Sequence, residues 1–173
     1  MTVRSDSTFA DAPLTRDSAR LYQDGIVAGL LGAATVAIWF LVIDWLAGRP
    51  FYTPTVLGTA LFRGGAGLGS PEMLPVSLEM VLMFTWVHAL VFAMIGGAAS
   101  LLLGLAERNA TFGFGIMMLF VFFQFGFVVA SLLFVAPVLK ALAWPAIFGA
   151  NMLATAAMAL YFWRRHPRLE MSP

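Results

Sequence analysis

The side chains that could do chemistry in this chain stand inside segments that are otherwise apolar. His88 lies in the run TWVHALVF, and no charged residue occurs between Glu79 and Glu107. A neutral imidazole can ligate a metal, relay a proton or hydrogen-bond a neighbouring helix. In an apolar environment such a ring is costly unless a partner satisfies it. The sequence therefore raises the question of what surrounds His88.

Other polar side chains occur at a similar depth in the predicted helices. They are Thr35, Thr85, Gln124, Asn151 and Thr155. We expect them to converge with His88 on one buried polar cluster, because amides that faced lipid would stay unsatisfied. The first interpretation is interhelical hydrogen bonding, which contributes on average about 0.6 kcal/mol per bond.

Two alternatives assign the cluster a more active role. In the first, His88 is an axial ligand of haem or a chlorophyll-type pigment, a cofactor that the sequence itself does not establish. The other histidine, His166, lies beyond the last predicted helix, so a second ligand would be a methionine such as Met83 or Met94, or a group of a partner chain. In the second, His88, Gln124 and Asn151 line a path through a small homo-oligomeric channel or transporter.

Recognisable catalytic sets are missing from the sequence. It contains no Ser/His/Asp constellation, HExxH motif or paired carboxylates, and GGAGLGS lacks the lysine of a nucleotide-binding loop. The absence of cysteine excludes disulfides and thiolate metal sites. A net charge of +1 gives no electrostatic basis for binding nucleic acid. We expect a protein that is not an enzyme and holds no metal site.

Two acids, Asp44 and Glu79, stand at the ends of apolar segments. Both are expected at the membrane surface as partly hydrated groups. Arg49 follows Asp44 closely enough to pair with it.

The elements that position these residues follow from composition. The chain is 61% hydrophobic and 11% charged, against roughly 45–50% and 25% in soluble domains. Charge-free stretches cover residues 25–43, 80–106, 109–139 and 141–163, each about the length that crosses a bilayer. Their apolar runs are continuous, which favours helices over barrel strands. The predicted fold is an all-α integral membrane bundle of four transmembrane helices, at about 24–46, 77–103, 112–136 and 143–163.

A short helix at about 54–62 is predicted to lie on the membrane surface between the first two spans. Thr53 is suited to its cap and Pro54 to its first position. The surrounding stretch GRPFYTPTVLGTALF resembles one found in bacterial membrane proteins, and the resemblance covers this loop alone and implies no activity. Polar residues 1–23 and the basic residues 164–173 form the predicted tails.

Small residues at a spacing of four predict close helix contacts. They are Gly25, Gly29, Ala33, Ala89, Ala93 and Gly97. They serve either the packing of the bundle itself or the docking of another subunit.

Seven of the ten basic residues fall on the side of the two termini, which predicts that both termini are cytoplasmic in a bacterial inner membrane. The expected partners are the lipid bilayer and other membrane subunits or a second copy of the chain. The favoured function is a non-catalytic subunit or accessory protein of a larger membrane complex.

Overall fold

The computed structural model describes residues 12–64, 68–70, 73–106 and 144–165, and this part of the chain is helical with no strands. Its helices are α1 (Ala12–Leu46), α2 (Tyr52–Phe62), α3 (Leu78–Ala106) and α4 (Trp144–Arg165). Three segments are long and apolar enough to cross a membrane: Arg20–Leu46, Leu78–Gly104 and Pro145–Arg165. The predicted all-helical class is confirmed for the described residues, and three of their helices are compatible with a membrane by length and composition. The predicted span at 112–136 lies outside the described residues.

The first helix begins twelve residues before the expected start at Asp24. Hydropathy marks where the apolar span begins, but it does not mark where the helix begins. The segment after Pro13 contains no further proline and no glycine before Gly25, so nothing in it interrupts a helix. Part of the predicted polar tail is therefore a helical extension of the span.

Helix α1 is the central element, and both other spans pack against it. Its buried face carries small residues three and four positions apart, namely Gly25, Ala28, Gly29, Gly32 and Ala33. This spacing forms one stripe along a helix. Because the side chains are so small, the backbone of α3 can approach closely.

Both α3 and α4 run antiparallel to α1. The start of α1 lies beside the end of α3, where the Ser100 hydroxyl donates a hydrogen bond to the Leu21 carbonyl. At the other end, Trp39 Nε1 of α1 donates to the Ala146 carbonyl near the start of α4, at 2.9 Å. Buried donors in a membrane segment need such acceptors within the protein.

Helix α2 packs across the end of α1 and the start of α3. Val56 of α2 is fully buried and forms a small core with Leu68. The residues packed around this pair are Phe40, Tyr52, Leu57, Ala60, Leu74 and Ile147. Leu57 and Ala60 are half-buried in this contact, whereas Leu61 is exposed, so the apolar side chains of α2 are partly used inside the protein.

The turn before α2 differs from the expected capping arrangement. The N-cap residue is Phe51, which adopts a left-handed conformation at φ 66°. Thr53 therefore lies inside the first turn, where its N–H lacks a partner within the helix. That partner is supplied by Asp44 of α1.

Candidate functional site

His88 faces α1, and its ring is held from three sides. Its Nε2 lies 3.3 Å from the carbonyl oxygen of Ala33. Since a carbonyl only accepts, Nε2 is the donor in this hydrogen bond. Phe84 and Phe92, one turn before and after on α3, lie with ring centroids 5.6 and 4.7 Å from the imidazole. The ring thus joins the two most closely packed helices.

The threonines of the predicted cluster hydrogen-bond within their own helices. The hydroxyl of Thr35 donates to the Leu31 carbonyl at 2.8 Å, and that of Thr85 to the Val81 carbonyl at 2.7 Å. Thr155 does the same to the carbonyl of Asn151 at 2.8 Å. Each hydroxyl is satisfied by the carbonyl four residues earlier, as is common for helical threonine. This local route needs no partner on another helix.

The amides of the predicted cluster are placed only in part. Gln124 lies outside the described residues. Asn151 is half-buried on α4, and its backbone carbonyl receives the Thr155 hydroxyl. Among the described residues, no hydrogen bond joins the side chain of His88 to those of Thr35, Asn151 or the other threonines.

The small residues of α1 and α3 meet next to His88, on the side toward the end of α3. A Cβ built on Gly25 would lie 2.6 Å from the Gly96 carbonyl oxygen, and one on Gly29 would collide with the Phe92 backbone. Ala33 supplies the carbonyl that His88 binds. Ala89 and Ala93 are half-buried on α3, and the Ala93 Cα lies next to Gly29.

Gly97 behaves differently from the other members of this set. Its Cα borders Gly25, but a Cβ on Gly97 itself would meet no described atom within 4 Å. The sequence pattern groups it with residues at the crossing, yet its own side-chain direction points away from α1.

Asp44 is buried, with 4% of its surface exposed, and it binds the start of α2. Its two oxygens accept the Thr53 N–H and the Thr53 hydroxyl, each at 2.7 Å. A carboxylate at a helix N-terminus is stabilised by the unpaired N–H groups and by the helix dipole. The expected interfacial, hydrated setting does not describe Asp44 in this structure.

The expected pairing of Arg49 with Asp44 is wrong. The Arg49 guanidinium lies over the Tyr52 ring, 3.9 Å from its centroid, and donates to the Leu74 carbonyl at 3.3 Å. The Thr53 donors satisfy the Asp44 carboxylate, and Arg49 packs on the aromatic face of Tyr52. Glu79 is exposed and pairs with Arg63 at 3.3 Å.

The chain matches no family model, no curated protein and no solved structure. The site therefore has to be interpreted from its own geometry. In the described ranges, no three His, Cys, Asp or Glu residues lie close enough to hold a metal ion.

Sequence reasoning missed several polar contacts between helices. Trp39 was not identified, although a tryptophan inside a span needs an acceptor for its indole N–H. Ser100 was not identified either, and its hydroxyl donates a hydrogen bond to the Leu21 carbonyl. Asp24, Tyr161 and Arg165 form a polar cluster where α1 and α4 meet, and their positions near the ends of the apolar spans were the available signal.

Proposed function

We propose that this protein is a non-catalytic membrane subunit or accessory protein of a larger membrane complex. The supporting observation is how its polar groups are used. His88, Trp39 and Ser100 each donate to a backbone carbonyl of another helix, and Asp44 binds the start of α2. Groups committed to backbone partners in this way hold helices in register.

The surface of the described spans is consistent with this role. Large apolar side chains are exposed along all three, for example Ile38 at 62%, Trp86 at 78% and Met152 at 53%. Lipid and neighbouring membrane helices are the surroundings that such a surface suits.

A fourth crossing by residues 112–136 belongs to the same proposal. Helix α3 ends beside the start of α1, whereas α4 begins beside the end of α1. The chain between them must therefore connect opposite ends of the bundle, and residues 109–139 carry no charge. With four crossings both termini share one side, which the distribution of arginines favours as the cytoplasmic side of a bacterial inner membrane.

Native mass spectrometry of the protein gently extracted from its own membrane tests the proposal. A heterogeneous assembly that contains other membrane proteins is the expected result. A bare monomer or a homo-oligomer would contradict it, and an added mass matching haem or a pigment would favour the cofactor alternative.

The variant His88→Leu separates the structural role of the imidazole from the two alternatives. We expect it to lower the free energy of unfolding by about 0.6 kcal/mol, because one hydrogen bond between helices is lost, while partners and stoichiometry persist. Thr85→Val is the matched control, because its hydroxyl bonds only its own helix. Loss of a Soret band in His88→Leu alone would indicate a haem ligand, and loss of ion flux in liposomes would indicate a conducting path.

A further inference from the structure

The end of the bundle where the apolar part of α1 begins carries a polar cluster that the proposed function does not use. Tyr161 of α4 donates its hydroxyl proton to Asp24 Oδ1 at 3.0 Å. Arg165 Nε lies 3.6 Å from the same oxygen, and the guanidinium carbon lies 5.7 Å from the Tyr161 ring centroid. We call Asp24, Tyr161 and Arg165, together with Arg20 and Arg164 beside them in sequence, the arginine cluster.

The Arg165 guanidinium is accessible although it has neighbours on both α1 and α4. Asp24 Oδ1 lies 3.6 Å from Nε, at the base of the guanidinium, and the Tyr161 ring lies beside the same group. The Arg165 side chain is 60% exposed while that of Asp24 is 21% exposed. A planar guanidinium held at its base in this way has lost part of the freedom that binding a phosphate would otherwise cost.

The charge at this end of the bundle is positive. Arg164 is adjacent to Arg165 and exposed, and Arg20 lies one turn before Asp24 on the same face of α1. Among the side chains that the structure describes here, three arginines thus accompany the carboxylate of Asp24. Such a set suits an anion with several oxygens, and arginine forks match phosphate in particular.

The level of the cluster in the fold suggests where that anion comes from. Arg165 is the last residue of the candidate span Pro145–Arg165. Beside it, Trp163 is 75% exposed and Leu160 is 51% exposed. An exposed tryptophan and arginines at the end of an apolar helix are typical of the headgroup level of a bilayer. A phosphate held here would have its acyl chains next to an apolar surface.

We propose that the arginine cluster binds the phosphate of an anionic phospholipid headgroup. This inference needs only that α1 and α4 cross a membrane, and it does not depend on the subunit role. It assigns the same site whether the protein is a subunit, a channel or a cofactor carrier.

The test uses the full-length protein, delipidated in an uncharged detergent and titrated with phosphatidylglycerol or phosphatidylcholine in native mass spectrometry. We expect a preference for phosphatidylglycerol that Arg165→Gln weakens about tenfold, as loss of a charge-assisted hydrogen bond would. Arg63→Gln is the matched control, since Arg63 is also an exposed arginine paired with one acid, at the opposite end of the bundle. It should retain the preference.

Three results would overturn the proposal. The first is unchanged phosphatidylglycerol binding in Arg165→Gln, and the second is an equal loss in Arg63→Gln, which would indicate a general charge effect. The third is complete displacement of the lipid by millimolar inorganic phosphate, which would assign the site to free phosphate. If Arg165→Gln fails to elute as a folded protein, Arg164→Gln replaces it with the same expected direction, because Arg164 has no ion pair with the described residues.

Discussion

At the scale of single residues, Asp44 shows how one buried acid can organise a turn. Its carboxylate satisfies both the N–H and the hydroxyl of Thr53. Asp44→Ala would leave two buried donors unpaired, so we expect the free energy of unfolding to fall by about 1–3 kcal/mol. Thermal unfolding of the detergent-solubilised protein measures this. Glu79→Gln is the control, because its exposed ion pair should contribute less than about 1 kcal/mol. Equal losses would contradict the assignment.

Phe51 provides a second test at this scale, since its φ of 66° is unfavourable for most side chains. Phe51→Asn and Phe51→Val both remove the aromatic ring. Asparagine tolerates the left-handed region, whereas a β-branched side chain does not. We therefore expect the asparagine variant to be the more stable by about 1 kcal/mol, measured by the same thermal unfolding. The reverse order would show that the backbone there relaxes at no cost.

At the scale of the elements, the close packing of α1 against α3 depends on glycines of α1, which have no side chain. A Cβ on Gly29 would collide with the Phe92 backbone, so Gly29→Ala must separate the helices or shift them. We expect a loss of about 1–3 kcal/mol in stability. Gly97→Ala is the matched control on the facing helix, because its Cβ would meet no described atom within 4 Å. It should be neutral or stabilising by about 0.4–1 kcal/mol, as replacing helical glycine usually is. A loss of similar size in Gly97→Ala would contradict the described packing of α1 against α3.

The same crossing shows what the sequence could and could not predict. Hydropathy located the three candidate spans among the described residues, and the predicted bounds agree with them within a few residues, because the length of an apolar run is read directly from composition. Spacing grouped Gly25, Gly29 and Gly97 together, but it did not separate the residues that face α1 from Gly97. That distinction depends on how far each helix is rotated about its own axis, which packing determines.

The hydrogen-bond partners of the polar residues could not be predicted from sequence for a related reason. Depth along a helix suggested that Thr35, Thr85 and Thr155 would join His88. A hydroxyl can instead bond the carbonyl four residues back, which depth does not exclude. Asp44 and Arg49 likewise looked like a pair because they are five residues apart and oppositely charged. Their side-chain partners in the structure are Thr53 for Asp44 and Tyr52 for Arg49, which proximity in sequence did not indicate.

At the scale of the whole molecule, the direction of α1, α3 and α4 makes the number of crossings testable. With four crossings, Ser70 between α2 and α3 and Ser172 near the C-terminus lie on opposite sides of the membrane. The chain has no cysteine, so Ser70→Cys and Ser172→Cys each introduce one thiol. In intact spheroplasts, a maleimide that cannot cross the membrane should label the first and leave the second unlabelled until the cells are lysed.

The variant Ser7→Cys is the control for the N-terminus, and it should behave like Ser172→Cys because an even number of crossings returns the chain to the side on which it started. If the thiols at positions 7 and 172 respond oppositely, the chain makes an odd number of crossings and the four-span proposal is wrong. If the thiol at position 70 is the protected one, the orientation is reversed. The arginine cluster would then face the outer leaflet, and its phospholipid would have to come from that side of the membrane.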